Sequence, residues 1–278
     1  MIKSLTNSLT PLYPPEEARA IVFALLEDAF GLTRTDVLLG RAASLTDDEK
    51  SRLTLCMQRL QQGEPLQHVV GFACFGELRL KVTPATLIPR PETLELVDWV
   101  TSDNASASHP HILDIGTGSG CIAISLAQRL PQAHIAAWDI SQAALTVAQC
   151  NAEKYDVKID FQLHDALKAS NEAPLFTTIV SNPPYICEHE RKDMERNVLD
   201  FEPATALFVP DADPLLFYRA LAARGKELLL PNGSVYMEIN RAYGKEVCQL
   251  FEQAGYTHVT LRKDTFGNDR MVKATLPS

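Results

Sequence analysis

The residues Asn182-Pro183-Pro184-Tyr185 combine groups that could hold a planar NH₂ group. Prolines lack a backbone N–H donor and have a fixed φ, so the carbonyl groups of a Pro-Pro pair can only accept hydrogen bonds. The Asn182 side chain adds an amide oxygen, which is a further acceptor. Tyr185 adds a flat ring for stacking. These residues predict a site that takes up both N–H bonds of an amide or amine nitrogen, although a Pro-Pro pair can also simply end a strand.

Such a site needs a way to activate a weak nucleophile, because the lone pair of an amide nitrogen is delocalised into the carbonyl group. No histidine lies in this motif, and the sequence offers no activating base. We therefore expect catalysis from positioning, worth about 7–11 kcal/mol in favourable cases, and from acceptors aimed at the positive charge that develops on nitrogen. Asn182, Pro183 and Tyr185 are the expected catalytic residues, and Pro184 is expected to bind substrate with them.

A glycine-rich turn forms a second candidate site, with the sequence Gly116-Thr117-Gly118-Ser119-Gly120. Its three glycines allow the backbone to turn sharply and to approach a ligand at the positive end of the following helix. A tight strand-to-helix connection is the alternative interpretation. The G-x-G-x-G spacing also differs from the G-x-G-x-x-G that usually holds a pyrophosphate.

Asp139 ends the next predicted strand, about 20 residues after the last glycine of the turn. An acid at this place binds ribose hydroxyls in doubly wound folds. Asp139 could instead be the N-cap of the helix that follows. In combination with the glycine turn it predicts a ribose-bearing ligand, and by the same geometry Asp165 is expected near the amino group of an adenine.

Alternating strands and helices must position these motifs. The predicted strands cover residues 111–115, 134–139, 159–164, 176–182, 234–239, 258–262 and 270–275. The predicted helices cover residues 121–129, 141–153, 214–230 and 243–254. This order predicts an α/β fold with a mostly parallel sheet and helices on both faces. Ligands bind outside the carboxyl ends of such strands, so we expect Asn182 and Gly116 to face one crevice.

The N-terminal part of the chain is predicted to be helical. One helix is predicted to start within Pro14-Pro15-Glu16-Glu17, with acids in its first turn, and to end at Gly31. Thr46 and Glu49 predict a capping box for another helix. A hairpin is predicted over 72–82, with a proline-rich segment after it and a helix over 92–101. The predicted division is a helical domain (1–70), a hairpin and proline-rich linker (71–91) and a catalytic domain (92–278).

Composition excludes several classes of protein. The chain has 278 residues, of which 46% are hydrophobic and 22% charged, as is usual for a globular protein. The first residues lack a signal-peptide pattern and no apolar run could cross a bilayer, so we expect a cytoplasmic protein without membrane contact. The net charge of −9 argues against a nucleic-acid partner.

The cysteines and histidines give little indication of a metal or of disulfides. The six cysteines are scattered without a C-x-x-C pair, which argues against a zinc ribbon and against a disulfide framework. The run Cys187-Glu188-His189-Glu190 looks like a ligand cluster, but charged residues follow it. We therefore expect a solvated loop there and no metal site.

Taken together, these residues resemble the bacterial peptide-chain release factor glutamine methyltransferases (the HemK/PrmC family). The resemblance covers nearly the whole chain. The matching segments are 63–68 with Gly71, 87–93, 113–120, Asp139, 182–185 and 201–203. The glycine turn and Asn-Pro-Pro-Tyr are more specific together than either is alone.

The resemblance implies a class I S-adenosylmethionine methyltransferase fold, Rossmann-like with a seven-stranded sheet. It implies S-adenosyl-L-methionine as cofactor, held by residues 116–120, Asp139 and Asp165, with Asn182 touching both ligands. It implies that the substrate is the glutamine of the Gly-Gly-Gln motif in class I release factors, methylated on its side-chain nitrogen. The helical domain is implied to engage the release factor.

Three positions depart from the family pattern. Ala166 stands where the family often has an aromatic residue, so stacking on adenine must come from elsewhere. Leu94 replaces an acid, and Asn240 replaces the commoner glycine after Glu238-Ile239. None of these changes lies in the glycine turn or in Asn-Pro-Pro-Tyr.

Four other functions are compatible with parts of the pattern. An adenine-N6 methyltransferase would present the same NH₂ geometry, but it must flip a base and hold a phosphate backbone. Methylation of a glutamine in another protein, such as a ribosomal protein, is closer still. A non-catalytic binding module is disfavoured by the intact motifs. A nicotinamide dehydrogenase is disfavoured by the glycine spacing.

Overall fold

The structure is a computed structural model that describes residues 1–170 and 173–278. It contains two compact units. The first comprises Met1–Phe72 and Met194–Phe201, and the second comprises Ala73–Asp193 and Glu202–Ser278. The predicted division into three domains stays a prediction, and the structure groups 194–201 with the N-terminal residues rather than with the remainder of 92–278.

All secondary structure elements that lie wholly within the first unit are helices. Its helices are α1 (Ile2–Leu9), α2 (Pro15–Phe30), α3 (Arg34–Leu38), α4 (Asp47–Gln61), α5 (Leu66–Val70), a 3₁₀ turn (Arg41–Ser44) and the later α9 (Arg196–Phe201). Helix α2 begins at Pro15 and is closed by Gly31 in the left-handed region (φ 68°), as the sequence predicted. The predicted capping box between Thr46 and Glu49 is also present.

The helices of this unit enclose one apolar core. Leu9, Val22, Leu25, Leu26 and Leu60 are fully buried in it. Their spacing in α2 follows the helical period, so the apolar stripe of the sequence is the buried face. Burial of whole leucine side chains stabilises such a unit by about 1.5–3 kcal/mol each.

The second unit begins with a small two-stranded sheet and continues into a large α/β sheet. The small sheet consists of β1 (Phe72–Phe75) and β2 (Leu78–Lys81). The strands of the large sheet are β3 (His111–Ile115), β4 (His134–Asp139), β5 (Ile159–Leu163), β6 (Phe176–Ser181), β9 (Leu229–Glu238), β10 (Thr257–Lys263) and β11 (Asp269–Thr275). The helices of the second unit are α6 (Thr93–Asn104), α7 (Cys121–Arg129), α8 (Gln142–Lys154), α10 (Ala204–Leu207), α11 (Leu216–Leu228) and α12 (Gly244–Gln253).

The large sheet has seven strands in the order β10-β11-β9-β6-β3-β4-β5. β11 is antiparallel to both of its neighbours, and the other pairs are parallel. This order confirms the predicted α/β fold. Since β6 pairs directly with β3, the two chemical motifs follow neighbouring strands at the same edge of the sheet.

Two parts of this unit differ from the sequence-based prediction. Strand β9 begins at Leu229, five residues before the predicted start, because the chain pairs with β6 both at Leu229 and from Ser234 onward with an irregular step between them. The segment between β6 and α11 also contains β7 (Ile186–Cys187), a 3₁₀ turn (Glu188–Asp193) and β8 (Phe208–Val209). No helix among the described residues is both long enough and apolar enough to span a bilayer.

Candidate active site

A cavity of about 380 Å³ opens beside the carboxyl ends of β3, β4 and β6. Most of the residues singled out by sequence line it: Gly116, Thr117, Gly118, Ser119, Asp139, Asp165, Asn182, Pro183 and Pro184. Gly120 and Tyr185 do not line it. The structure therefore brings the glycine turn and the Asn-Pro-Pro segment to one cavity, whereas Tyr185, which was predicted to offer a stacking surface, is not part of its lining.

The glycine turn has two glycines that face open space and one that serves packing. Gly116 and Gly118 have φ values of 77° and 55°, and a Cβ added at either would meet no atom within 4 Å. A Cβ at Gly120 would instead come within 3.0 Å of Ile124 and 3.2 Å of Ala148. The first two glycines thus leave a bare backbone surface for a ligand, whereas Gly120 allows α7 and α8 to approach closely.

Asp139 connects this turn to the start of α8 through its two carboxylate oxygens. Oδ2 accepts from the Gly118 N–H at 2.9 Å, and Oδ1 accepts from the Ser141 N–H at 2.8 Å. The N-cap of α8 is Ser141, whose hydroxyl oxygen accepts from the Ala144 N–H. The alternative interpretation of Asp139 as the N-cap is therefore wrong. Each carboxylate oxygen can accept a second bond, which leaves capacity for two hydroxyl groups of a ligand.

Asp114, which was not among the predicted site residues, lies fully buried beneath the turn. Its Oδ2 accepts from the Thr117 hydroxyl at 2.7 Å and from the Ala123 N–H at 3.3 Å. Its Oδ1 has no hydrogen-bond partner among the described residues. Burial raises the pKa of Asp114 to about 7. An acid inside an otherwise apolar strand, just before the glycines, was the available sequence signal.

Apolar side chains flank the side of the cavity next to Asp139 and Asp165. Ile140 and Leu167 are 62% and 46% exposed, and both line the cavity. Asp165 Oδ1 accepts from the Leu167 N–H at 3.0 Å, which fixes the turn that carries this leucine. Ile140 comes one position after Asp139, the last residue of β4, and Leu167 comes two positions after Asp165, which follows β5. This spacing was the available sequence signal for the apolar flank.

Asn182 is tied to residues far away in the sequence. Its Nδ2 donates to Thr93 Oγ1 at 3.1 Å, and the Thr93 hydroxyl donates to Glu238 Oε2 at 2.7 Å. The Tyr185 hydroxyl donates to Glu238 Oε1 at 2.8 Å. Thr93 and Glu238 are each only 2% exposed. Burial raises the pKa of Glu238 above its ordinary value, while the hydroxyls of Thr93 and Tyr185 act in the opposite direction.

Comparison with known proteins matches two domains of this chain and several nearly full-length relatives. Residues 96–202 match the model of the methyltransferase small domain, and residues 2–71 match the PrmC N-terminal domain. A release factor glutamine methyltransferase of Bacteroides thetaiotaomicron is 45% identical over 271 residues, which is 97% of each chain. A release factor glutamine methyltransferase of Flavobacterium psychrophilum is 41% identical over 270 residues. The alignment covers 96% of this chain and 95% of that protein.

The chain belongs to the release factor glutamine methyltransferase family. A crystal structure of a methyltransferase from Pyrococcus furiosus matches it with a TM-score of 0.53 at 15% identity, covering 84% of this chain and all of that one. This likeness supports the fold. The two relatives confirm the family resemblance found in the sequence. The strand order and the structural match confirm the predicted Rossmann-like seven-stranded sheet.

Two family segments noted in the sequence meet in the wall of the cavity. The Glu202 carboxylate accepts from the Ile88 N–H at 2.9 Å and from Arg90 Nη2 at 2.6 Å. The Glu202 side chain is 1% exposed and that of Arg90 34%. Because a buried carboxylate needs such partners, this ion pair fixes segment 87–93 of this family member beside the cavity.

Asn240, the departure from the family pattern, supports the segment after Asn182. Its Nδ2 donates to the Tyr185 carbonyl oxygen at 3.1 Å and to Glu190 Oε2 at 3.0 Å. Its backbone N–H donates to the Tyr218 hydroxyl at 3.0 Å. The larger side chain therefore braces the backbone of this family member at Tyr185.

The candidate ligand cluster of the sequence is partly assembled. Ligand atoms of Cys187, His189 and Asp211 lie within 4.8 Å of one another, and His189 Nδ1 lies 2.7 Å from Asp211 Oδ1. Cys187 is buried, and burial raises the pKa of its thiol, which disfavours the thiolate that metals bind. The expected absence of a metal stays a prediction.

Proposed function

We propose that this methyltransferase transfers a methyl group from S-adenosyl-L-methionine to the side-chain amide nitrogen (N5) of the glutamine in the Gly-Gly-Gln motif of class I peptide chain release factors. One observation carries the proposal: a single cavity is lined both by the bare glycine backbone and by Asn182, Pro183 and Pro184. Membership of the family supports the same reaction.

The cofactor of this family is S-adenosylmethionine, which supplies an electrophilic methyl group on sulfur when bound. The residues around the cavity fit it. Gly116 and Gly118 leave space for close approach, and Asp139 keeps accepting capacity for the ribose hydroxyls. Ile140 and Leu167 offer apolar surface to adenine in place of the aromatic residue missing at Ala166. Asp165 is proposed to accept from the adenine amino group.

The glutamine amide is proposed to lie against Asn182 and the two prolines. The Asn182 side-chain oxygen and a proline carbonyl accept the two N–H bonds of the substrate, and Tyr185 supports that segment from behind. These acceptors hold the nitrogen in place and stabilise the positive charge that develops on it. The new bond joins nitrogen to the methyl carbon, the sulfur–methyl bond breaks, and one N–H proton leaves the product.

The helical unit is proposed to engage the release factor. Its surface carries large apolar side chains at Leu38, Leu39 and Leu55, which are 61–69% exposed. Exposed leucines of this size are suited to contact with another protein. Residues 2–71 match the PrmC N-terminal domain, which supports a role of this unit in the function of the family.

The test uses purified enzyme, a purified class I release factor and isotope-labelled S-adenosylmethionine. Mass spectrometry of the Gly-Gly-Gln peptide is expected to show one added methyl group on the glutamine side chain. Its absence with a folded, cofactor-binding enzyme would refute the release factor as substrate. Parallel reactions with ribosomal proteins and with adenine-containing DNA and RNA then show whether another glutamine or an adenine is the acceptor.

A further inference from the structure

Three hydrogen bonds in the wall of the cavity, which Thr93 and Asn182 line, determine which way the Asn182 amide can face. They run from Asn182 Nδ2 to Thr93 Oγ1, from the Thr93 hydroxyl to Glu238 Oε2, and from the Tyr185 hydroxyl to Glu238 Oε1. The residues come from α6, β9 and the segment after β6. Thr93 and Glu238 are buried, so water does not substitute for these partners.

A count of protons fixes the direction of each bond. The hydroxyls of Thr93 and Tyr185 and the nearby charge of Arg270 favour the ionised form of Glu238. In that form the carboxylate only accepts, so Glu238 draws the one hydroxyl proton of Thr93 and the one hydroxyl proton of Tyr185. With its proton committed, the Thr93 oxygen can only accept from Asn182. Asn182 must therefore present Nδ2, its donor, to Thr93. Its Oδ1 is left as the acceptor for a group in the cavity that Asn182 lines.

We propose that Thr93 and Glu238 are positioning residues that hold the Asn182 amide with Oδ1 ready to accept from the substrate NH₂ group. This inference rests on the proposed function, in which Asn182 accepts an N–H bond of the substrate. A reversed amide would present two N–H donors to the substrate NH₂ and would repel it. The same carboxylate holds the Tyr185 ring, so one buried acid organises both ends of Asn182-Pro183-Pro184-Tyr185.

The first test is steady-state kinetics on matched threonine variants of the full chain. Thr93→Val keeps the shape but removes the hydroxyl, and kcat is expected to fall about 10- to 100-fold because a misoriented group loses catalysis on that scale. Thr93→Ser keeps the hydroxyl and is expected to restore most of that rate. Cofactor affinity, measured by calorimetry, is expected to change less than about twofold in both.

Thr101→Val is the control on the same helix. The Thr101 hydroxyl is buried and has no hydrogen-bond partner among the described residues. Its loss tests whether any change of threonine to valine in α6 is harmful, and kcat is expected to stay near the wild-type value. Glu238→Gln adds a donor where only an acceptor fits, and kcat is expected to fall at least as far as in Thr93→Val.

A second readout does not need the substrate. The side-chain NH₂ signal of Asn182 in a ¹⁵N spectrum can be assigned by its loss in Asn182→Ala. In the wild type and in Thr93→Ser it is expected to be ordered and protected from exchange, and in Thr93→Val it is expected to lose both properties. An unchanged signal or an unchanged kcat in Thr93→Val would overturn the inference. A wild-type enzyme that modifies no release factor would refute the proposed function instead, while the spectrum still decides the positioning role.

Discussion

The two sides of the cavity are built in different ways. On the side of the glycine turn, hydrogen bonds join residues that are close in sequence: Thr117 to Asp114 across 3 positions and Gly118 to Asp139 across 21. On the side of Asn182, the bond from Asn182 to Thr93 spans 89 positions and the bond from Thr93 to Glu238 spans 145. The bond from Tyr185 to Glu238 spans 53 positions. The first side is held by hydrogen bonds between residues that are close in sequence. The second side is held by hydrogen bonds between side chains that are far apart in sequence.

We expect the local side to bind the cofactor and the long-range side to orient the substrate. A glycine turn with a nearby acid can form wherever one strand–helix–strand unit forms, since its groups are fixed by local connections. The Asn182 side requires three distant elements to arrive together before its acceptors are aligned. We therefore expect substitutions on the first side to alter cofactor affinity, and substitutions on the second to alter the rate of the reaction with the cofactor still bound.

The largest expected effect is that of Asn182→Ala. This change removes an acceptor aimed at the charge developing on nitrogen, and kcat should fall by about 10²- to 10³-fold. The cofactor dissociation constant, measured by calorimetry, should change by only a few-fold. A variant with near-normal kcat, or one that loses cofactor binding instead, would break the separation between the two sides.

The buried acid beneath the glycine turn predicts a pH dependence of stability. The pKa of Asp114 is about 7 in the folded protein, above the ordinary 3.8, so between these values the folded state holds a proton that the unfolded state has lost. Stability therefore falls as pH rises from about 4 to about 7. In Asp114→Asn this contribution is absent, so between pH 5 and pH 8 the cofactor-free wild type should lose about 3 kcal/mol more than the variant.

Urea unfolding of both proteins at the two pH values measures this difference. Glu238, whose pKa burial also raises, is present in both proteins and cancels from the comparison. Asp139 raises the pKa of Asp114 through its charge, so the measured difference includes the coupling of these two acids. Equal pH dependence in the wild type and in Asp114→Asn would mean that Asp114 does not carry the proton.

The sequence predicted the local side of the site better than the long-range side. Strands β3 and β4 have the predicted bounds, because period and apolar composition mark them, and the glycines and Asp139 follow directly from their ends. Thr93 and Glu238 lie in segments that resemble the family, but no sequence signal indicated that they contact each other. Their contact depends on where α6 and β9 pack, and neither the spacing nor the residue types of a single sequence specify a pairing across 145 positions.

The short elements between β6 and α11 were also outside what the sequence could predict. β7 and β8 have two residues each, and α10 has four, so none shows a readable period. The pairing of Leu229 with β6 was missed because Pro231, Asn232 and Gly233 are typical of a turn rather than of a strand interior.

Asp139→Ala sharpens the comparison from the side of the glycine turn. The change removes the brace on the Gly118 N–H and the proposed partner of the ribose hydroxyls, and hydrogen bonds to a charged group are worth about 1.5–3 kcal/mol. Calorimetry should show cofactor binding weakened about 10- to 100-fold. Asp160→Ala, an exposed aspartate on β5 that does not line the cavity, is the control and should bind normally. A strong effect on kcat at saturating cofactor would contradict the assignment of this side to binding.

The smallest effect is expected at Leu167, where the contact with adenine is apolar and partly open to solvent. Leu167→Ala removes apolar surface that is buried in the complex and so weakens binding by about 1 kcal/mol. The cofactor dissociation constant should therefore rise about 5-fold. Leu167→Phe restores an aromatic face near Ala166 and should bind at least as tightly as the wild type. Leu175→Ala is the matched control, since Leu175 is similarly exposed (49%) but does not line the cavity. Equal affinities for Leu167→Ala and Leu175→Ala would show that adenine does not rest on Leu167, and the apolar flank would then reduce to Ile140.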